Sequence, residues 1–271
     1  ECLKLIYCII KFFINYKIFY LGFNMEKIIR FINFLELNKD DFILFTGNLM
    51  QFLQNIDGDN RKKLNFLLDC MKDNVDTLAI HTFNWDFCKG LAYDILNSKS
   101  QTGALGNIAL KRDDFRRTKH PIYSFAVAGK FQKELVVLEN KGAFDNNSPF
   151  AFMHKNNAKM IIVNLPLQDS FTFVHYVEEC LKVDYRFNKS FEALYTDEKG
   201  FTQLKTYDMF VRKDGVLTDV NGLENLFIKE NVMELKKFEN LCIKKIDLSK
   251  AYDVIVKDIE DNHAKNLMNY A

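Results

Sequence analysis

Phe42-Ile43-Leu44-Phe45-Thr46-Gly47-Asn48 is the stretch of this 271-residue chain that decides the fold. Its four apolar residues form a run of the length of a buried strand, and the Thr-Gly-Asn sequence ends that run as a turn. A helical pattern over 64–71 separates it from a second apolar run, 77–80, which ends at His81-Thr82-Phe83. This alternation of strand, loop, helix and strand predicts an α/β fold with a central, mainly parallel or mixed sheet flanked by helices.

The rest of the chain continues the same pattern. Apolar runs at 124–128 and 160–163 predict two more strands, and the spacing over 172–181 predicts a helix. The segment 201–212 is typical of a strand or hairpin, and two helical stretches close the chain. Because no internal repeat or low-complexity linker divides the chain, we predict one continuous domain over residues 25–271.

The first 24 residues differ from this domain. The run Leu3–Phe23 is apolar, but three lysines and an asparagine interrupt it, whereas a membrane-spanning helix needs about 20 mostly apolar residues. Met25 then opens a segment typical of a domain start. We interpret residues 1–24 as an apolar extension outside the native domain, without stable membrane insertion. An anchor at the membrane surface is the alternative.

Composition argues against several classes of partner. The chain has 37 lysines and arginines against 36 aspartates and glutamates, so it lacks the basic excess that nucleic-acid binding needs. Its six cysteines are scattered without a CxxC pair, which favours reduced thiols and a cytoplasmic location over a disulfide framework. No spacing of cysteine and histidine resembles a zinc site, so we expect no metal.

The segment Thr172-Phe173-Val174-His175-Tyr176-Val177-Glu178 is the most informative for chemistry. Residues three apart share one face of a helix, so Glu178 can hold one imidazole nitrogen of His175 and leave the other free as a base. Acyl transfer to an amine benefits from such a base, because amines are mostly protonated near neutral pH. Taken alone, this spacing is more commonly a partly exposed histidine in a surface ion pair.

Four further motifs occur in order around this segment. They are Thr102-Gly103-Ala104-Leu105, Arg117-Thr118-Lys119-His120-Pro121-Ile122-Tyr123-Ser124-Phe125, Asn147-Ser148-Pro149-Phe150 and Val183-Asp184-Tyr185-Arg186. From Met25 to the C-terminus, the series resembles the aminoglycoside 3-N-acetyltransferase family. The resemblance implies a fold distinct from that of the Gcn5-related acetyltransferases, and acetyl-coenzyme A (acetyl-CoA) as co-substrate. It also implies that His175 is the catalytic base and Glu178 its orienting carboxylate.

The resemblance implies a cofactor site as well, formed by Thr46, Gly47, Asn48, Thr102, Gly103, Arg117 and Ser124. The sequence departs from the family pattern at two loops. Where this chain has Thr46–Asn48, family members usually carry a His-Ser-Ser type loop, so we expect this loop to contact the cofactor through its backbone. Where this chain has His81, they usually carry a proline.

The acceptor site is predicted to include His81, Trp85, Asp86 and Asp145. The alternatives are core packing for the aromatic residues and solvated loop positions for the carboxylates. The chain is neutral overall, has no acidic run near its motifs, and resembles family members associated with surface-polysaccharide synthesis. We therefore expect a nucleotide-linked or glycan amino sugar as acceptor. An aminoglycoside, acetylated as a means of antibiotic resistance, is the first alternative. A catalytically idle glycan-binding or membrane-associated member is the second.

The remaining histidines and one arginine are assigned structural roles. His120 precedes a proline and is expected to fix a loop, while His154 and His263 are expected at the surface without chemical neighbours. Arg186 is expected in an internal ion pair rather than on a phosphate. The sequence leaves the oligomeric state open, with a homodimer among the options.

Overall fold

The structure is a computed structural model that describes residues 25–270; residues 1–24, with the predicted extension, and Ala271 lie outside the described residues. Its helices are α1 (Glu26–Phe34), α2 (Met50–Gln54), α3 (Asn60–Lys72), α4 (Ala104–Ala109), α5 (Gln132–Val137), α6 (Pro149–Lys155), α7 (Val174–Cys180), α8 (Leu223–Lys229) and α9 (Leu248–Asn262). Within residues 25–270, none of these helices has the length and apolar character needed to cross a membrane.

The structure has twelve strands within the described residues. They are β1 (Phe42–Gly47), β2 (Thr77–His81), β3 (Tyr93–Asp94), β4 (Arg116–Arg117), β5 (Phe125–Gly129), β6 (Lys159–Val163), β7 (Arg186–Thr196), β8 (Thr202–Arg212), β9 (Val216–Thr218), β10 (Met233–Phe238), β11 (Leu241–Asp247) and β12 (Met268–Tyr270). Strands β9 and β12 pair only with each other.

Seven strands form one mixed sheet in the order β10-β11-β6-β1-β2-β5-β4. Strand β1 lies at its centre and is parallel to both neighbours, with Leu44 opposite Ala79 on one side and Met160 on the other. The other pairs in the sheet are antiparallel. The predicted α/β fold is confirmed in its mixed form, with the parallel part confined to β6, β1 and β2.

The central strands are apolar on both faces because helices cover the sheet on both sides. Leu44 and Ala79 belong to the core cluster that includes residues of α6, α7 and α9. Ile43 and Ile80 belong to the opposite cluster, with residues of α1 and α3. Side chains alternate along a strand, so His81, two residues beyond Ala79, projects to the side of the sheet that carries α7.

A second sheet of three strands lies beside the first, in the order β3-β7-β8. Strands β7 and β8 form a long antiparallel hairpin. The backbone of Asp208 in β8 donates to the Lys141 carbonyl and accepts from the Ala143 N–H, both at 2.9 Å. The hairpin therefore holds the segment 141–143 in place. The predicted strand or hairpin at 201–212 is confirmed.

The sequence pattern does not predict the β10–β11 hairpin. Two lysine pairs, Lys236-Lys237 and Lys244-Lys245, interrupt the alternation of polar and apolar residues that marks a strand. Strand β10 is at the edge of the sheet, and edge strands tolerate such charges on their surface. The two helical stretches that close the predicted chain are α8 and α9.

Candidate active site

His175 and Glu178 lie within hydrogen-bonding distance on α7, as the three-residue spacing predicts. Buried Val174 and Val177 anchor this helix in the core. His175 Nδ1 is 2.7 Å from Glu178 Oε2; the Glu178 side chain is fully buried, while 21% of the His175 side chain is exposed. This contact occupies Nδ1 and leaves Nε2 as the nitrogen that can take a proton from a reacting group.

Arg186, at the start of β7, is the second partner of Glu178. Its Nε atom is 2.7 Å from Glu178 Oε2. The two groups form an ion pair, but the N–H is not aligned for a hydrogen bond. Its terminal nitrogens donate to the Phe210 carbonyl and the Thr218 hydroxyl, both at 3.2 Å. The expected internal ion pair of Arg186 is present, and the sequence alone does not identify its partner.

These three groups set one another's charge. Burial by itself raises the pKa of Glu178, but the hydrogen bond with His175 and the charge of Arg186 bring that pKa below its ordinary value. Burial, and then the charge of Arg186, lower the pKa of His175, while Glu178 acts in the opposite direction. Near neutral pH the pair therefore holds an ionised carboxylate and a neutral imidazole, which are the protonation states that a general base needs.

A cavity of about 690 Å³ lies beside α7, and we call it the larger cavity; Asp145, Glu179 and Phe144 are among its lining residues. His175 does not itself line the cavity: the lining Phe144 ring is 5.6 Å from the His175 ring and connects the two. Burial, and then the neighbouring Asp145 and Asp208, raise the pKa of Glu179 to about 7. Asp145 and Glu179 thus meet at the cavity, with Asp208 near Glu179 and paired with Lys141 at 3.2 Å. The absence of an acidic run does not predict this grouping.

A second cavity, of about 350 Å³, brings together four of the predicted cofactor residues. Gly47 and Asn48 line it from the end of β1, and Thr102 and Gly103 line it from the segment before α4. Five leucine side chains contribute to its apolar wall: Leu49, Leu53, Leu64, Leu105 and Leu165. We call this the smaller cavity.

The other three predicted cofactor residues lie in the protein interior. Thr46 is buried beside Gly47 at the end of β1. Arg117 is 6% exposed and donates hydrogen bonds to protein oxygen atoms, one of them the Ser124 hydroxyl at 2.9 Å. Their direct contact with a cofactor stays a prediction.

The four predicted acceptor residues are dispersed. Asp145 lines the larger cavity. His81 is buried at the end of β2, stacks on Phe83 with ring centroids 4.5 Å apart, and has its pKa lowered to about 3 by burial. Trp85 is 37% exposed, and Asp86 forms an ion pair at 2.9 Å with the lysine three residues later. With its pKa lowered to about 3, the buried His81 is a weak base near neutral pH.

Of the predictions for the remaining three histidines, two are confirmed and one is wrong. His120 is buried, and its Nδ1 accepts the backbone N–H three residues on, which fixes the loop as expected. His263 is exposed, as predicted. The prediction for His154 is wrong: its ring stacks on Tyr252 at 4.1 Å, and Nδ1 is 3.2 Å from the Tyr176 hydroxyl. Tyr252 lies on α9 and Tyr176 on α7, and the packing of these two helices against α6 brings both side chains to His154.

The sequence also matches a family model. The model for aminoglycoside 3-N-acetyltransferase covers residues 67–260, well over half of the chain. The chain belongs to the aminoglycoside 3-N-acetyltransferase family. The resemblance drawn from the sequence motifs is thereby confirmed, and the matched region includes α7 and both carboxylates that line the larger cavity. A comparison with curated proteins finds no match.

Several solved structures share the fold of this aminoglycoside 3-N-acetyltransferase family member. A structure described as "AAC-IIIb binary with CoASH" has a TM-score of 0.70 and 14% identity, and covers 85% of this chain and 94% of its own. The sisomicin-bound AAC-VIa structure has a TM-score of 0.73 and 15% identity, over 88% and 98% of the two chains. The structure of the YokD protein from Bacillus subtilis has a TM-score of 0.70 and 18% identity, and covers 89% of this chain and 95% of its own.

Family membership settles the class of reaction and the acetyl donor. The chain is an acetyl-CoA-dependent N-acetyltransferase, with acetyl-CoA as co-substrate. Among residues 25–270, no group of histidine, cysteine, aspartate and glutamate side chains has an arrangement that could hold a metal ion.

Proposed function

We propose that this acetyltransferase acetylates an amino group of an aminoglycoside, with His175 as the general base. The observation that carries the proposal is the 2.7 Å contact between His175 Nδ1 and the buried Glu178 carboxylate. Glu178 holds the tautomer with its proton on Nδ1, so the Nε2 lone pair accepts the proton of the attacking amine. The imidazolium that forms then lies beside a carboxylate, which stabilises it.

We place the cofactor in the smaller cavity. Acetyl-CoA supplies an activated acetyl thioester when bound. Its lining combines polar side chains, Asn48 and Thr102, with five leucines, which suits an arm that carries both amide groups and apolar stretches. The backbone N–H of Asn48 already donates to the Val163 carbonyl at 2.9 Å. Gly103 has a φ of 109°, and no atom lies within 4 Å of the position that a Cβ would take there. A linear ligand can therefore approach its backbone closely.

The larger cavity supports a cationic acceptor. Asp145 and Glu179 line it, and each carboxylate can pair with an ammonium group of an aminoglycoside. Lys182 and Arg186 also line the cavity, and Arg186 is already paired with Glu178. The net charge of the chain favours the nucleotide-linked or glycan amino sugar, but the folded structure and the family match support the aminoglycoside alternative better.

The test is CoA release from acetyl-CoA with a panel of aminoglycosides and nucleotide-linked amino sugars. We expect turnover with aminoglycosides, and we expect His175→Ala to lose about 10²–10⁴-fold in kcat with an unchanged acetyl-CoA dissociation constant. His263→Ala, at an exposed histidine, is the matched control. Turnover of nucleotide sugars alone would reverse the acceptor assignment. A His175→Ala variant that keeps more than about a tenth of wild-type kcat would remove His175 as the base.

A further inference from the structure

Arg117 is a buried cation held by neutral groups. Its guanidinium donates to the Thr82 carbonyl at 2.6 Å, the Ser98 carbonyl at 2.5 Å and the Ser124 hydroxyl at 2.9 Å. It also lies over the Tyr93 ring, 5.0 Å from its centroid. Burying a charge is costly unless several hydrogen bonds satisfy it, so this arrangement fixes the groups that provide them.

The two carbonyls belong to two segments, of which one lines the smaller cavity. Thr82 directly follows the end of β2, while Ser98 opens the segment 98–103, which leads to the cavity-lining Thr102 and Gly103. This segment is fastened to β2 a second time, because the Thr102 hydroxyl donates to the His81 carbonyl at 2.8 Å.

The approach of α4 to the strand end is equally close. A Cβ on Gly106, in the first turn of α4, would lie 2.5 Å from the His81 carbonyl oxygen, so glycine is required at this contact. The segment 98–103 is thus held at the Arg117 guanidinium and at the end of β2. Between these points, Asn84 donates to the Lys99 carbonyl at 2.9 Å and the Gln101 N–H donates to the Phe83 carbonyl at 2.8 Å.

We propose that Arg117 is a positioning residue for the acetyl donor: it joins the end of β2 to the segment 98–103 and so holds Thr102 and Gly103 in the cofactor wall. This inference rests on the proposed function only where acetyl-CoA is placed in the smaller cavity. The planar guanidinium is essential because it donates in diverging directions to two backbone segments. A lysine ammonium keeps the charge but loses that geometry.

The experiment measures the dissociation constant of acetyl-CoA by calorimetry on the full chain. The variants are Arg117→Lys, Thr102→Val and the double variant. Each single change should weaken binding about tenfold, since each removes hydrogen bonds that fix the same segment. The double variant should be weakened by clearly less than the product of the two factors, because both residues act on one element.

Arg116→Lys is the matched control. Arg116 is the preceding residue of the same strand, is exposed, and donates to the carbonyls of Asp113 and Phe115 in its own segment. Its substitution should leave the acetyl-CoA affinity unchanged. In Arg117→Lys the ascending limb of the kcat–pH profile should also stay in place, because the change does not touch His175.

The outcomes separate this inference from the proposed function. Two results would overturn the role of Arg117 and leave the cofactor site standing. One is weaker acetyl-CoA binding in Thr102→Val together with normal binding in Arg117→Lys. The other is a double variant whose loss of affinity equals the product of the losses in the two single variants. Normal binding in both would overturn the cofactor placement as well. If thermal melting shows that Arg117→Lys does not fold, Ser124→Ala, which removes one acceptor of the guanidinium, replaces it. We then expect about threefold weaker binding that is again non-additive with Thr102→Val, and unchanged affinity would overturn the proposal.

Discussion

Arg186 contacts the same Glu178 oxygen that His175 uses: Arg186 Nε and His175 Nδ1 are each 2.7 Å from Glu178 Oε2. The carboxylate is therefore shared between a permanent cation and a group that becomes a cation during the reaction. Sharing weakens the support that Glu178 gives to the imidazolium, and the charge of Arg186 contributes to the lowered pKa of His175. A histidine with a lowered pKa is neutral, and so able to accept a proton, over a wider range of pH.

Arg186→Gln should raise the pKa of His175, because it removes a nearby positive charge and releases Glu178 to the imidazole alone. The midpoint of the ascending limb of kcat/KM against pH should move upward relative to wild type. Breaking a buried ion pair commonly costs about 3–5 kcal/mol, so unfolding curves must accompany the kinetics. Arg186→Lys keeps the charge and serves as the control, with a smaller displacement. A midpoint that stays in place in Arg186→Gln would show that Arg186 does not tune the base.

Glu178→Gln should move the same midpoint downward. The carboxylate is the group that raises the pKa of His175, and its loss leaves burial and Arg186 acting together. The variant keeps the shape of the side chain, so we expect a smaller loss of kcat than in His175→Ala. Single-turnover rates over the full pH range measure both effects. A midpoint displaced in the same direction in Glu178→Gln and Arg186→Gln would contradict the shared-carboxylate geometry.

Glu179→Gln should remove a pH dependence of acceptor binding. The pKa of Glu179 is raised to about 7, so the carboxyl gains its charge as the pH rises through that value and then attracts an ammonium group. Wild-type affinity for an aminoglycoside should increase across this range until the acceptor amines lose their own protons. Calorimetric titrations on either side of pH 7 should show that this increase is smaller in Glu179→Gln. Glu230→Gln, at an exposed glutamate, is the control. An equal increase in both variants would assign the effect to the acceptor alone.

His120→Gln should make the free energy of unfolding less dependent on pH under mildly acidic conditions. Burial lowers the pKa of His120 from 6.5 to about 4, so between these values the unfolded chain binds a proton that the folded chain does not. The group's contribution to stability is present above pH 6.5 and is lost as the pH falls toward about 4. Its slope is at most about 1.4 kcal/mol per pH unit. Urea unfolding at a series of pH values measures the slope, and an unchanged slope would exclude His120 as a source of acid sensitivity.

The sequence predicts the features that depend on neighbours along the chain. The contact between His175 and Glu178 follows from one turn of helix, and the strands at 77–80 and 160–163 follow from continuous apolar runs. The convergence of Asp145, Glu179 and Asp208 cannot be read in this way, because a loop, a helix and a hairpin supply one carboxylate each. Arg117 shows the same limit: its motif marks it as important, but only the folded chain shows that its guanidinium is directed at backbone carbonyls.

The grouping of Asp145, Glu179 and Asp208 also has a consequence for the amount of folded enzyme in a cell. Repulsion of Glu179 by Asp145 and Asp208 opposes folding, and a ligand that binds only the folded form shifts the equilibrium toward it. If the acceptor is an aminoglycoside, its ammonium groups neutralise the two carboxylates that line the larger cavity and so join α7 to the loop after Gly142. The antibiotic then acts as a pharmacological chaperone for the enzyme that inactivates it. Exposure to the drug would slow degradation of the protein without any change in transcription.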